Sequence, residues 1–243
     1  MLNQSFIKKS LVALLFPFSV ANAEIVIHGT RAIYPSDARE ITLQVSNNGA
    51  KPSLVQAWID EGDPKSTPDQ SKAPFMITPP ISRVDPAKSQ ALRITALPKA
   101  NQLSKDKETV FWLNVLDIPP KPKGNSADDV PDNFLQLAIR SRIKFFYRPA
   151  GLKEDIAQAP TKLQWSRAGN KLAVNNPTPY HITVTSILTD NAGKKTDLLS
   201  EGIMINPMSS TTLDIKQSVP LNKLTFTTIN DFGGRVSTDL KLQ

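Results

Sequence analysis

Side chains that alternate apolar and polar at every step can bury one face only by forming β-strands, and that alternation runs through nearly all of this chain. Residues 40–47 (EITLQVSN), 53–60 (SLVQAWID) and 90–96 (QALRITA) follow it, and 109–117 (TVFWLNVLD) is more uniformly apolar, as a central strand is. Between them stand Asn47-Asn48-Gly49, Glu61-Gly62-Asp63-Pro64, Thr78-Pro79-Pro80 and Asp85-Pro86, all turn formers. Most of the 20 prolines fall in such intervals, where a missing N–H breaks no ladder. After Arg148-Pro149-Ala150-Gly151 the pattern restarts, with strands expected at 162–166, 171–174, 180–189, 211–215, 224–229 and 235–242. Asn175-Asn176-Pro177, Asn191-Ala192-Gly193 and Asp231-Phe232-Gly233-Gly234 supply the turns between them. The expected fold is all-β: two sandwiches of about 100 residues each, with a boundary at Pro149.

The first residues read as an address. Lys8 and Lys9 precede an apolar run too short to span a bilayer, and Ala21-Asn22-Ala23 offers small residues where a signal peptidase cuts. Residues 1–23 are therefore expected to be a cleaved signal peptide, leaving a soluble exported chain from Glu24 with no membrane insertion. The whole chain has 29 Lys and Arg against 22 Asp and Glu, and losing the two leader lysines lowers its net charge from +7 to +5. That balance favours acidic partners, but no basic tract with interleaved aromatics points to nucleic acid. With no cysteine, the exported chain must fold on its hydrophobic cores alone.

Catalytic chemistry finds little support. The two histidines, His28 and His181, lack the spacing of a metal site, and there is neither a G-x-S-x-G elbow nor a phosphate-cradling Gly loop. The chain is read as a non-enzyme without a cofactor. A secreted β-sandwich module that binds glycans or proteins is the alternative; it would need aromatic platforms on loops, whereas Trp58, Trp112 and Trp165 fall in expected strands.

One strand is out of proportion. Along residues 134–148 (FLQLAIRSRIKFFYR), Leu135, Leu137, Ile139, Ile143, Phe145 and Tyr147 share one parity, and Arg140, Arg142, Lys144 and Arg148 the other. About fourteen strand residues would extend ~45 Å, beyond the reach of an ordinary sandwich. Half of it would overhang as an aliphatic edge in need of a partner. The segment before it, 118–133 (IPPKPKGNSADDVPDN), is long, proline-rich and without periodicity, which marks it as functional or disordered.

The segment LQLAIRSRIKFFYRP resembles the donor strand of the periplasmic pilus chaperones, the PapD-like family. GTRAIYP, LVQAWID, ITPPISRVDP, DKETVFWLNVLDIPP, NPTPYHIT and INDFGG follow the same resemblance in order. The resemblance implies two immunoglobulin-like domains in an L or boomerang arrangement, 24–148 carrying the donor strand and 149–243 following. The implied function is to bind, fold and cap pilus subunits by donor-strand complementation in the periplasm, and to deliver them to an outer-membrane usher. Leu135, Leu137 and Ile139 would fill the groove of an incomplete subunit sandwich, and Arg31 and Lys144 would anchor the subunit's C-terminal carboxylate. Glu108, Arg148 and Asp231 would form an interdomain ion cluster, worth only ~0–1 kcal/mol per pair if exposed. Arg93 would meet the usher. The absence of cysteine and the moderate 118–133 loop resemble the short-loop members, and a self-capping dimer is one resting state such a strand allows. Because Lys144 has the opposite parity to the three donor residues, a bulge or strong twist is expected near residues 140–142.

Overall fold

The structure, a computed structural model, describes residues 24–121, 135–169, 171–191, 193–214 and 224–242. Residues 1–23 and most of the 118–133 segment lie outside them. Nine strands precede Pro149: β1 (Ile25–Ile27), β2 (Arg31–Pro35), β3 (Ile41–Asn47), β4 (Ser53–Asp60), β5 (Phe75–Thr78), β6 (Ile81–Val84), β7 (Ser89–Ala96), β8 (Thr109–Ile118) and β9 (Ile139–Arg148). They form two facing sheets, β1-β3-β7-β5 and β2-β9-β8-β4-β6. Eight more follow: β10 (Gln164–Ala168), β11 (Lys171–Asn176), β12 (Ile182–Asn191), β13 (Lys194–Asp197), β14 (Ile203–Ile205), β15 (Ser209–Asp214), β16 (Leu224–Ile229) and β17 (Arg235–Leu240). Sheets β10-β11-β15 and β13-β12-β16-β17, with β14 also on β12, make the second sandwich.

The long alternating runs form the expected strands. The short β1, β5, β6, β13 and β14 were not legible, since three or four residues carry too little periodicity. Each sandwich closes on its own core. In the first, Tyr34, Phe75, Phe111, Phe145 and Tyr147 meet ring to ring, with Phe75 and Phe145 centroids 4.7 Å apart. The buried Tyr34 hydroxyl accepts from the Ala96 N–H at 3.0 Å and donates toward the Ala38 and Arg39 carbonyls. In the second, Trp165 lies against Phe226 at 5.3 Å. Leu152, Ile156 and Ala159, on the connection before β10, already pack against that second core.

The N-terminal segment changes sheets. β1 pairs antiparallel with β3, whereas β2 runs parallel to β9 in the opposite sheet, from Arg31↔Lys144 to Pro35↔Arg148. Gly29 makes the crossing at φ +133°, a conformation that L side chains rarely adopt. Every other ladder between strands is antiparallel among the described residues.

β9 corrects its expected length and removes the bulge from the bulge-or-twist expectation. It is shorter than residues 134–148: pairing with β8 ends at Asp117↔Ile139, so residues 135–138 have no ladder partner, and Phe134 lies outside the described residues. No bulge interrupts it either, because the β8–β9 register is continuous from Tyr147 to Ile139. Its two faces stay separate throughout. Phe145, Tyr147 and the partly buried Ile143 join the first core, while the even-numbered side chains face away from it.

On that outer face a buried charge pair ties β9 to β4. Asp60 is fully buried and accepts from Arg142 at 2.6 Å, Asn114 at 2.7 Å and the Gly62 N–H at 2.6 Å. Burial alone would raise its carboxyl pKa, but these donors hold it below the ordinary value. The Arg142 guanidinium also stacks over Trp112, 4.2 Å from the ring centre. Next along, Arg140 donates to the Pro64 and Ser66 carbonyls, pinning the 61–72 segment across the sheet. Arg142→Met leaves the Asp60 carboxylate buried without its cation. Unfolding in urea should show a loss of about 3 kcal/mol.

Candidate functional site

β9 has one edge filled and the other only half filled. β8 pairs along residues 139–147, but on the far side β2 takes up only 144–148. Among the described residues, nothing pairs with that outer edge from Ile139 to Ile143. Aliphatic side chains lie exposed at and before the start of β9: Ile139 is 54%, Leu137 62% and Leu135 82% exposed. Three exposed aliphatic side chains this close together make an uncommon apolar surface.

The unfilled edge ends at two cations. Arg31 opens β2 and is in register with Lys144. Arg31 donates to the Ile229 carbonyl at 3.3 Å, and its buried Nε has no partner. Lys144 donates to Thr183 Oγ1 at 2.8 Å. Burial and the nearby Arg31 charge push the Lys144 amine down to about 8. Burial likewise lowers Arg31, partly offset by Asp231 and Glu108.

Arg148, at the end of β9, joins the two sandwiches. Its Nε donates to Glu108 at 2.7 Å, and its terminal nitrogens grip both oxygens of Asp231 at 2.6 and 2.9 Å. The second Glu108 oxygen accepts from the His181 backbone N–H at 2.8 Å. Burial works against the Arg148 charge, but the two carboxylates outweigh it and its pKa is raised. Sequence reasoning treated these pairs as weak if exposed. Only 1% of the Glu108 side chain is in fact exposed, so its neutralisation is obligatory rather than incidental.

The structure therefore brings Arg31 beside Lys144, and Glu108, Arg148 and Asp231 into one cluster. Leu135 and Leu137 precede β9 and Ile139 begins it, and all three are exposed. Arg93 stands apart, exposed on β7 in the opposite sheet between Thr42 and Thr78. Asp60 and Arg142 went unnoticed in the sequence because their partnership spans |i−j| = 82 and carries no local pattern. Arg31 and Arg148 both feel the carboxylates of Glu108 and Asp231, whereas the charged neighbour of Lys144 is Arg31.

A family model described as "Pili and flagellar-assembly chaperone, PapD N-terminal domain" matches residues 24–153, and one for "Pili assembly chaperone PapD, C-terminal domain" matches 158–240. The chain belongs to the PapD family of pilus-assembly chaperones. It is similar to chaperone protein MrkB of Klebsiella pneumoniae, 45% identical over 230 residues, 94% of this chain and 96% of that one. Among solved structures it is similar to the chaperone YadV of Escherichia coli, with TM-score 0.75 and 38% identity, covering 90% of this chain and all of that one. It is also similar to a Salmonella enterica structure of the SafA pilin in complex with the SafB chaperone. There the TM-score is 0.74 and the identity 28%, covering 90% of this chain and 96% of that one.

Two outcomes follow from the electrostatics of this PapD-family site. Arg148→Ala strands Glu108 in the interior and should cost about 3 kcal/mol in urea unfolding. Lys144→Met should do the opposite. The folded-state pKa of Lys144 lies below its ordinary value, so its charge opposes folding at pH below about 8, and stability rises with pH from there to the ordinary lysine range. Removing the charge should raise stability at pH 7 by about 1–2 kcal/mol, after discounting the shift for partial screening, and should flatten that rise.

Proposed function

We propose that this chain receives pilus subunits on β9 in the periplasm, after removal of residues 1–23, and keeps them folded until transfer to an outer-membrane usher. The observation that carries the reading is the unfilled edge of β9, lined by exposed aliphatics and ending at paired cations. A subunit strand added there gains main-chain hydrogen bonds that tolerate sequence variation. Leu135, Leu137 and Ile139 extend into the subunit's groove, each contributing about 1.5–3 kcal/mol of burial before ordering costs.

An added strand must stop where β2 begins, and Arg31 and Lys144 stand at that point. They grip the subunit's C-terminal carboxylate, which gives Lys144 a counter-charge and sets the register. This also answers the parity of Lys144. A strand joining β9 edgewise needs its side chains on the donor face and only its terminus at the cations, so no bulge is required.

Glu108, Arg148 and Asp231 hold the domain of residues 24–148 at a fixed angle to that of 149–243. Arg93, on the sheet facing away from the subunit, is available to the usher. Without a subunit, the open edge suits a second copy of the chain, which would give a self-capped dimer. Membership of the short-loop type rests on the lack of cysteine, since residues 122–134 lie outside the described part.

Co-expression of a pilus subunit with wild type and with Lys144→Ala should give soluble complex only with wild type; equal recovery would sink the anchor assignment. Leu137→Arg should abolish the complex while leaving the unfolding midpoint of the free chain unchanged, because that side chain is exposed. Subunit affinity should be steady at lower pH and fall as pH rises through about 8, where Lys144 loses its proton.

A further inference from the structure

β8 stops where its chemistry changes. Its ladder with β9 ends at Asp117↔Ile139, the strand itself ends at Ile118, and Pro119 and Pro120 follow. β8 lies between β9 and β4, and in such a ladder successive residues point their N–H groups alternately to one neighbour and the other. One of any two successive residues must serve β9, and two successive prolines leave that place without a donor. The ladder cannot continue in full, and residues 135–138 run on without one.

A side chain makes the contact that the main chain cannot. Gln136, which stands between Leu135 and Leu137, donates from Nε2 to the Pro119 carbonyl at 2.6 Å. The same division continues into β9. Arg140 donates to the Pro64 and Ser66 carbonyls and Arg142 to Asp60, while Ile139 is left exposed. At this end of the strand, polar residues of one parity hold the chain to the sandwich, and aliphatic residues of the other are left free.

We propose that Gln136 is a positioning residue of the donor segment, whose bond to Pro119 keeps residues 135–138 beside the end of β8 before a subunit arrives. The role rests on the donor-strand reading and adds to it what prepares the donor. Without that bond, four residues that have no ladder sample many backbone conformations, and each must be fixed during binding. With it, an arriving subunit meets aliphatic side chains already carried at the head of β9. Gln136 therefore acts on the speed of capture, since ordering paid for in advance no longer slows association.

The test takes the pilus subunit recovered with wild type by co-expression, unfolds it in urea and dilutes it into an excess of mature protein. Capture and release are followed separately by stopped-flow fluorescence. Gln136→Met keeps the length of the side chain but has no N–H to donate. It should capture subunit about three- to tenfold more slowly, with release changed by less than about threefold. In the free variant, NMR order parameters of residues 135–138 should fall from about 0.8 to below about 0.6. Its unfolding midpoint in urea should match wild type, because Gln136 is exposed. Gln136→Lys, which can still donate, should restore both capture and order. Capture by Gln136→Met at the wild-type rate, unaltered order parameters, or no restoration by Gln136→Lys would overturn the positioning role alone. Capture by Leu137→Arg as fast as by wild type would overturn the donor-strand reading and this role with it.

Discussion

Because β2 lies parallel to β9 and covers only its second half, one strand has two different environments along a single edge. From Lys144 onward both edges are satisfied and both domains are engaged, while before it the outer edge is open. The same pairing sets Arg31 opposite Lys144, so the open edge and its charged stop arise from one register. It depends in turn on Gly29, whose positive φ lets the chain leave β1 in one sheet and enter β2 in the other. An open edge elsewhere on the sandwich would have no such stop, and a guest strand could slide along it.

Charge is buried at both halves of β9, to different ends. Toward the open end, Asp60 and Arg142 are matched one to one, with Asn114, the Gly62 N–H and the Trp112 ring completing their contacts. That arrangement is closed, and it holds the strand flat against its sheet where no β2 supports it. Toward the domain junction, Arg148 is matched by Glu108 and Asp231, while Lys144 has another cation, Arg31, as its charged neighbour. The first supports the frame; on the proposed reading, the second is where the subunit's terminus is held.

How much of this could be read from residues follows from the range of each interaction. Strands such as β3, β4 and β8 announce themselves because alternation is local. β2 is five residues long and was visible only as part of a resemblance. The overhang of Leu135 and Leu137 followed from length, yet the end of β9 is set by where β8 stops, a property of the partner strand. The Asp60–Arg142 pair and the burial of Glu108 depend on residues far apart in the chain, and periodicity carries no trace of them. The bulge expected near residues 140–142 came from treating strand addition as a face-to-face contact, whereas the open edge invites a lateral one.

The unpaired Lys144 charge has a consequence for the traffic of such a molecule. An empty carrier retains a partly desolvated amine beside a second cation, whereas a loaded one has that repulsion neutralised. Binding that relieves a cost in the folded state stabilises host and guest together, by linkage. On the proposed reading the vacant form is therefore the one more readily lost to proteolysis. The supply of subunits would then regulate the lifetime of their own escort, with no dedicated sensor beyond a lysine deprived of its counter-ion.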